Sequence, residues 1–279
     1  MLPNFLIIGA PKAGTTSLHA YLDRHPQVHM SDPKELYFFD DPDYESRLAW
    51  YESHFETDAP LRGEATPHYA MYPFYDGVPE RIHKLIPDAK LIYLVRDPLE
   101  QIVSHCVQLY TNRYCADAGA LLADVDREDN PGICASRYAT QLQQYLALFD
   151  RDQLIVVDQR DLKADRANTV AGVFRFLGVD PELADVDFEE ELNARADKYE
   201  KTRSGEFLWS RVLSPAGRAV VPLPVRDRFR RRVNDALPHR RVASPALTDE
   251  VRGRLVSMLE PEIAWLRRFT GQDFATWQL

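Results

Sequence analysis

The stretch Phe5-Leu6-Ile7-Ile8-Gly9-Ala10-Pro11-Lys12-Ala13-Gly14-Thr15-Thr16-Ser17 constrains the fold more than any other part of the chain. Its apolar start reads as a strand over Phe5–Gly9, and an amphipathic helix is expected over Thr15–Arg24. Glycines at both ends of the connection let the backbone turn tightly and aim N–H groups inward. The helix start adds partial positive charge, so strand, Gly-bracketed turn and helix together can cradle a phosphate. Lys12 adds a full charge, and Thr15, Thr16 and Ser17 bring hydroxyl donors. The plain alternative is a strand–turn–helix connection that uses Gly and Thr for geometry alone.

The rest of the chain supports a βα context for that loop. Short apolar runs alternate with amphipathic stretches through the first two thirds, which predicts a parallel sheet flanked by helices, an α/β fold. Further strands are expected at Leu61–Glu64, Leu91–Val95 and Leu154–Val157. The run at 91–95 is apolar throughout, as a strand buried on both faces should be. Helices are expected at Val78–Ile86, Pro98–Asn112, Ser136–Phe149 and Arg166–Leu177, the last closed by Gly178 as a C-cap. A final helix over Thr248–Arg268 starts with a Thr248 cap followed by Asp249 and Glu250 near the positive dipole end. Phe274 and Trp277 beyond it are suited to tether the tail to the body.

With 279 residues, 45% of them hydrophobic, the chain is expected to form a single domain over 1–279. Its net charge of −9 argues against nucleic acid or an anionic membrane surface as a partner. A local field at a loop can still hold an anionic cofactor. Cys106, Cys115 and Cys134 have no zinc or C-x-x-C spacing, and no cluster has metal-ligand spacing. The sparse, odd set fits a reducing compartment. The N-terminal apolar run is too short for a span and lacks a signal-peptide n-region, so a cytoplasmic location is expected. From about 189 to 244 the pattern degrades. A dozen Lys and Arg fall between Lys198 and Arg241, interrupted by prolines. That segment is either a solvated loop with a basic helix around Arg226–Leu237, or a lid over an anionic cofactor or substrate.

Gly9 and Gly14 have the spacing of a Walker A loop, but Thr15 stands where that loop has lysine, and Lys12 lies inside the turn. The arrangement for a Mg²⁺-bound β,γ-phosphate is therefore broken. The loop Pro11-Lys12-Ala13-Gly14-Thr15-Thr16 resembles the 5′-phosphosulfate loop of sulfotransferases that use 3′-phosphoadenosine-5′-phosphosulfate (PAPS). The resemblance implies that Lys12 stabilises charge on the bridging oxygen, with Ala13, Gly14, Thr15, Thr16 and Ser17 around the phosphate.

A second motif follows the buried strand: Arg96-Asp97-Pro98, then Ser104 about two turns into the next helix. An arginine at a strand's carboxyl end can fork onto a phosphate. With Leu91–Val95 before it, this string resembles the family's 3′-phosphate motif, which assigns Arg96 and Ser104 to the cofactor. Between the two motifs lies Pro33-Lys34-Glu35-Leu36-Tyr37-Phe38-Phe39-Asp40. Glu35 precedes an aromatic cluster that is expected to desolvate it and raise its pKa. The E-x-x-F-F-D pattern resembles the glycosaminoglycan-type and bacterial branches, where the matching glutamate is the proposed base. That makes Glu35 the base and Asp40 a supporting acid, with Tyr37 at a position that is histidine in some relatives. In Gly63-Glu64-Ala65-Thr66-Pro67, Ala65 stands where glycosaminoglycan relatives carry a lysine, which argues against a heparan-like acceptor. Glu64 either contacts the acceptor or braces the loop. His68 and Tyr69 either line the same pocket or serve structurally. Lys201 and Arg203 lie where relatives place a basic, Gly-containing loop over the 3′-phosphate.

The resemblance implies sulfuryl transfer from PAPS to a hydroxyl, or secondarily an amine, of a small-molecule or carbohydrate acceptor, with no metal. Two other readings remain at this stage. A P-loop kinase or NTPase needs a lysine followed by a Mg²⁺-binding Ser/Thr and a Walker-B acid, and neither is clear. A non-catalytic bisphosphonucleotide-binding module would use Arg96 and Ser104 and leave Glu35 dispensable.

Overall fold

β4, Lys90–Val95, is buried at every residue after Lys90 and pairs with a parallel strand on each side. The apolar run at 91–95 therefore forms a strand covered on both faces. The computed structural model describes residues 1–115, 117–184, 199–201, 239–241 and 244–279. Five strands, β1 (Phe5–Gly9), β2 (Val28–Met30), β3 (Leu61–Ala65), β4 and β5 (Leu154–Asp158), form one sheet in the order β2-β3-β1-β4-β5. Every pairing in it is parallel. A separate antiparallel pair joins β6 (Tyr199–Lys201) to β7 (His239–Arg241).

Among the described residues the helices are α1 (Thr15–Leu22), α2 (Leu48–Ser53), α3 (Val78–Leu85), α4 (Pro98–Thr111), α5 (Ala118–Ala123), α6 (Tyr138–Leu146), α7 (Gln159–Ala164), α8 (Arg166–Leu177) and α9 (Asp249–Thr270). The main core gathers around the sheet, from Phe5, Ile7, Leu91 and Tyr93 to Val173 and Phe174. A second cluster lies where α4 (Leu99, Ile102, Cys106) meets α5 (Leu122) and α9 (Leu255, Leu259). In α9 the buried residues Leu255, Leu259, Glu262, Ile263 and Leu266 follow the helical repeat. Glu262 is the polar member of that stripe, and it accepts from Thr140 N at 2.8 Å and Thr140 Oγ1 at 2.6 Å.

Several local expectations hold. Gly178 ends α8 at φ 94°, and the Thr248 hydroxyl accepts from Val251 N at 3.3 Å. Phe274 and Trp277 are buried, and Trp277 Nε1 donates to Asp158 Oδ2 at 3.2 Å. Other elements differ. β2 was not expected, because three residues with a histidine in the middle show no period. α2, α5 and α7 have only six residues each, too short to display a helical repeat. The helix expected over Ser136–Phe149 is shorter, since Cys134–Ser136 forms its own 3₁₀ turn. Most of the basic segment, including the expected helix around Arg226–Leu237, lies outside the described residues. Among the described residues no helix is long and apolar enough to cross a membrane.

Candidate active site

All five parallel strands point their carboxyl ends the same way, and the segments singled out in the sequence leave from those ends. The order β2-β3-β1-β4-β5 makes the chain run to one side of β1 first and to the other later. The ends of β1 and β4 thus flank a topological switch point, where open α/β sheets form their ligand crevice.

The loop after β1 has little freedom. A Cβ on Gly9 would lie 2.8 Å from both Ala70 Cβ and Tyr93 Cε2, so only glycine fits. Lys12 takes φ 66° and Gly14 takes φ 99°. A left-handed lysine costs about 1–3 kcal/mol and persists only where its surroundings hold it. Those surroundings are specific. Ala10 N donates to Leu94 O at 2.7 Å, and Gln101 Nε2 donates to Pro11 O at 2.9 Å. The Lys12 carbonyl accepts from Arg96 Nη1 and Gln159 Nε2, each at 3.4 Å. α1 then starts at Thr15 with no side-chain cap on its first turn. Left-handed turns before a helix start give a concave surface of N–H groups suited to an anion. Ala13 and Thr15 are buried, Ser17 is half-buried and Thr16 is exposed.

Arg96 follows β4 and is largely buried. Its Nη2 and Nε donate to Glu100 Oε2 at 2.6 and 3.1 Å. Burial alone would raise the Glu100 pKa, but the Arg96 hydrogen bond and charge, with Arg160 and Lys163 nearby, bring it below its ordinary value. Ser104 is half-buried on α4, two turns further along. Asp97 is fully buried: its Oδ1 caps α4 through Leu99 N at 3.0 Å and Glu100 N at 3.3 Å. Its Oδ2 accepts from Gln278 N at 2.8 Å, with Arg160 Nη2 at 3.5 Å. The cation at the strand end, the helix start and the C-terminal tail are thereby joined.

Glu35 lies on the segment after β2. Its Oε1 meets Lys34 Nζ at 2.7 Å, and its Oε2 accepts a hydrogen bond from the Tyr37 hydroxyl. The expectation of a raised pKa is corrected here. Burial does push the carboxyl up, but Lys34, the Tyr37 hydrogen bond and His68 together hold it below the ordinary value. The aromatic cluster turns away instead. Phe38 stacks on Tyr51 with centroids 3.8 Å apart, and both Phe38 and Phe39 are fully buried. Asp40 Oδ2 lies 3.3 Å from His68 Nδ1, while its Oδ1 is buried with no hydrogen-bond partner. The His68 ring lies 4.9 Å from that of Tyr37 and stacks on Tyr75 at 5.2 Å.

Glu64 and Tyr69, left open in the sequence between lining the pocket and bracing the loop, are buried and bonded to the turn around them. Glu64 has no exposed surface, and it accepts from Tyr51 Oη at 2.5 Å, Thr66 Oγ1 at 2.6 Å and Tyr69 Oη at 2.7 Å. Burial nonetheless raises its pKa, outweighing those three donors. The same hydroxyls reach the segment carrying Glu35. Tyr69 Oη accepts from Phe38 N at 3.1 Å, and Thr66 Oγ1 accepts from Tyr37 N at 3.4 Å. Tyr51 had no signal in the sequence, because it sits on a short helix with no expected role.

Lys34, Glu100 and Gln159 are further residues that the sequence did not single out as site groups, the adjacent opposite charges at 34 and 35 being the hint for Lys34, while Tyr37 was noted only as standing where some relatives carry histidine. Lys201 lies on β6, and Arg203 falls outside the described residues. Among the described residues no group of three or more His, Cys, Asp or Glu is placed to hold a metal ion.

The profile of the sulfotransferase domain family matches residues 2–215. The human bifunctional heparan sulfate N-deacetylase/N-sulfotransferase 2 is 30% identical over 203 residues, covering 65% of this chain and 22% of that protein. The chain therefore spans less than a quarter of the length of such relatives. The crystal structure of a sulfotransferase from Alicyclobacillus acidocaldarius matches over the whole of both chains, with TM-score 0.68 and 21% identity. A mouse sulfotransferase solved in complex with PAP matches 94% of this chain and 84% of its own, with TM-score 0.51 and 13% identity. The two structures speak for a shared fold.

Proposed function

The chain belongs to the sulfotransferase family, and from that premise we propose that it moves a sulfuryl group from PAPS to a hydroxyl or amine of a small-molecule or carbohydrate acceptor, leaving 3′,5′-adenosine bisphosphate. The observation that carries this reading is the hydrogen bond from Arg96 Nη1 to the Lys12 carbonyl at 3.4 Å. It joins the candidate 5′-phosphosulfate loop to the candidate 3′-phosphate arginine, which supports assigning the two ends of one nucleotide to them. The left-handed turn at Lys12 and Gly14 and the uncapped start of α1 fit an anion there.

When bound, PAPS supplies the sulfuryl group and a stable leaving group. Lys12 and the N–H groups of residues 13–17 neutralise charge that builds on the leaving oxygen, the largest kind of contribution in such reactions. Arg96 and Ser104 hold the 3′-phosphate, and Lys201 and Arg203 are assigned to it as further cations. Glu35, ionised by Lys34, accepts the acceptor's proton, and the Asp40–His68 pair supports the wall beside it. The residues at 1–279 act as one domain.

A hydroxyl is our first assignment for the acceptor group. The relatives named as N-sulfotransferases support an amine as the second. Ala65 in place of lysine argues against a heparan-like chain, and the sparse cysteines support a cytoplasmic setting. Calorimetric titration with 3′,5′-adenosine bisphosphate and, separately, with ATP and Mg²⁺ tests the cofactor class. Tight bisphosphate binding that is lost in Arg96→Ala is expected. Preference for ATP with Mg²⁺ would return the chain to the kinase reading.

A further inference from the structure

Glu35 has a donor on each oxygen, and the two donors differ in what lies beyond them. Lys34 Nζ on Oε1 is an ammonium, which has no lone pair to take a proton. Tyr37 Oη on Oε2 is a hydroxyl, which can accept one proton while it donates another. Tyr37 is 39% exposed and the Glu35 side chain 34%, so the hydroxyl can be reached from solvent as readily as the carboxylate it donates to.

The backbone points the same way. Tyr37 takes φ 51°, a left-handed conformation that is an outlier for a bulky side chain. Such a conformation is costly and persists where the surrounding structure over-determines it. Tyr37 N is tied to Thr66 Oγ1, and the next two N–H groups both reach Tyr69 Oη. Both of those hydroxyls donate to the buried Glu64. The ring is set against His68, which Asp40 fixes. Five buried or half-buried groups, Thr66, Tyr69, Glu64, His68 and Asp40, thus hold one exposed tyrosine in a costly conformation with its hydroxyl on the candidate base.

We propose that Tyr37 is a second catalytic residue, whose hydroxyl relays the acceptor's proton to Glu35. This rests on the sulfuryl-transfer reading. As the acceptor oxygen bonds to sulfur, the bond from sulfur to the bridging oxygen breaks and its electron pair leaves with the bisphosphate. The acceptor's O–H or N–H proton passes to Tyr37 Oη while the phenolic proton passes to Glu35 Oε2. The phenol is regenerated, and the carboxylate ends as a carboxylic acid. Burial and the Glu35 carboxylate both push the Tyr37 pKa upward, so the phenol enters the reaction protonated, as a relay requires.

Tyr37→Phe keeps the ring against His68 and removes only the hydroxyl. Bisphosphate affinity is measured by calorimetry. Turnover is measured with labelled PAPS, using 4-nitrophenol and glucosamine as acceptor probes and sulfate release to water as a third readout. The expected result is unchanged bisphosphate affinity with turnover down about 10²-fold or more, the scale of one proton-transfer contribution. Tyr37→His, whose ring can also pass a proton, is expected to restore part of the rate. Undiminished turnover in Tyr37→Phe would overturn the relay. So would an equal loss of bisphosphate binding, which marks a structural role. Failure of the unaltered protein to bind the bisphosphate would instead overturn the underlying reading.

Discussion

Arg96 Nη2 lies 2.6 Å from Glu100 Oε2, one turn along α4, so the arginine assigned to the 3′-phosphate already holds a carboxylate. Arg160 Nη2 lies 3.9 Å from the other Glu100 oxygen. A phosphate arriving at Arg96 meets that negative charge and must displace or share it. Glu100→Gln keeps the shape and an acceptor oxygen but removes the charge. Bisphosphate Kd is expected to fall about 3- to 10-fold, up to about 1.4 kcal/mol, by calorimetry. Weaker binding in this variant would mean that Glu100 positions Arg96 rather than competing for it.

The Glu35 pH profile carries a sign that can be worked out. Burial raises the carboxyl's pKa, and Lys34, Tyr37 and His68 more than offset it, so the folded value lies below the ordinary one. A base must be deprotonated to work, so activity is expected to persist below the ordinary glutamate range and fade only at lower pH. Lys34→Met removes the charge and one hydrogen bond while burial remains. The acid limb of kcat/KM is then expected to move to higher pH. A limb that stays put in this variant would show that Glu35 is not the group being titrated.

The contrast between these two sites explains what the sequence disclosed. The loop at 9–17 and the string at 91–98 are local: each strand, turn and helix start is written in consecutive residues. Arg96, Asp97 and Pro98 could be placed at a strand end before any contact was known. Glu35 could be located but its ionisation could not, since Phe38 and Phe39 turn into the core and Lys34 turns toward the carboxylate. Glu64 was left between two roles because one of its three donors, Tyr51, comes from the separate helix α2, while Thr66 and Tyr69 lie on the turn just after it. Only the packing of α2 beneath the turn brings Tyr51 to it. β2 escaped notice for the opposite reason, being too short to carry any period.

The Glu64 network predicts a stability effect at Tyr69. Its hydroxyl donates to Glu64 and accepts from Phe38 N, and all three groups are buried. Tyr69→Phe leaves a backbone N–H without an acceptor and removes one of three donors from a buried carboxyl. A buried polar group left unsatisfied costs about 1–3 kcal/mol, so a loss of that size is expected in urea unfolding. Turnover is expected to fall as well, because the same hydroxyl fixes the segment bearing Tyr37. A variant with unchanged midpoint and rate would remove the network from the account of the site.

Lys12 separates backbone from charge. Its φ of 66° is left-handed, and alanine at that position bears a comparable backbone cost. Lys12→Ala therefore changes the ammonium while leaving the strain of the loop in place. The contacts from Arg96 and Gln159 use the Lys12 carbonyl, which the variant keeps. Thermal stability is expected to change little. Turnover with PAPS is expected to fall at least about 10²–10³-fold, the scale of losing one donor aimed at a developing negative charge. Near-normal turnover with intact stability would place leaving-group stabilisation in the N–H groups of the loop and take it from the lysine. A large drop in stability together with the rate would instead show that the side chain helps build the loop.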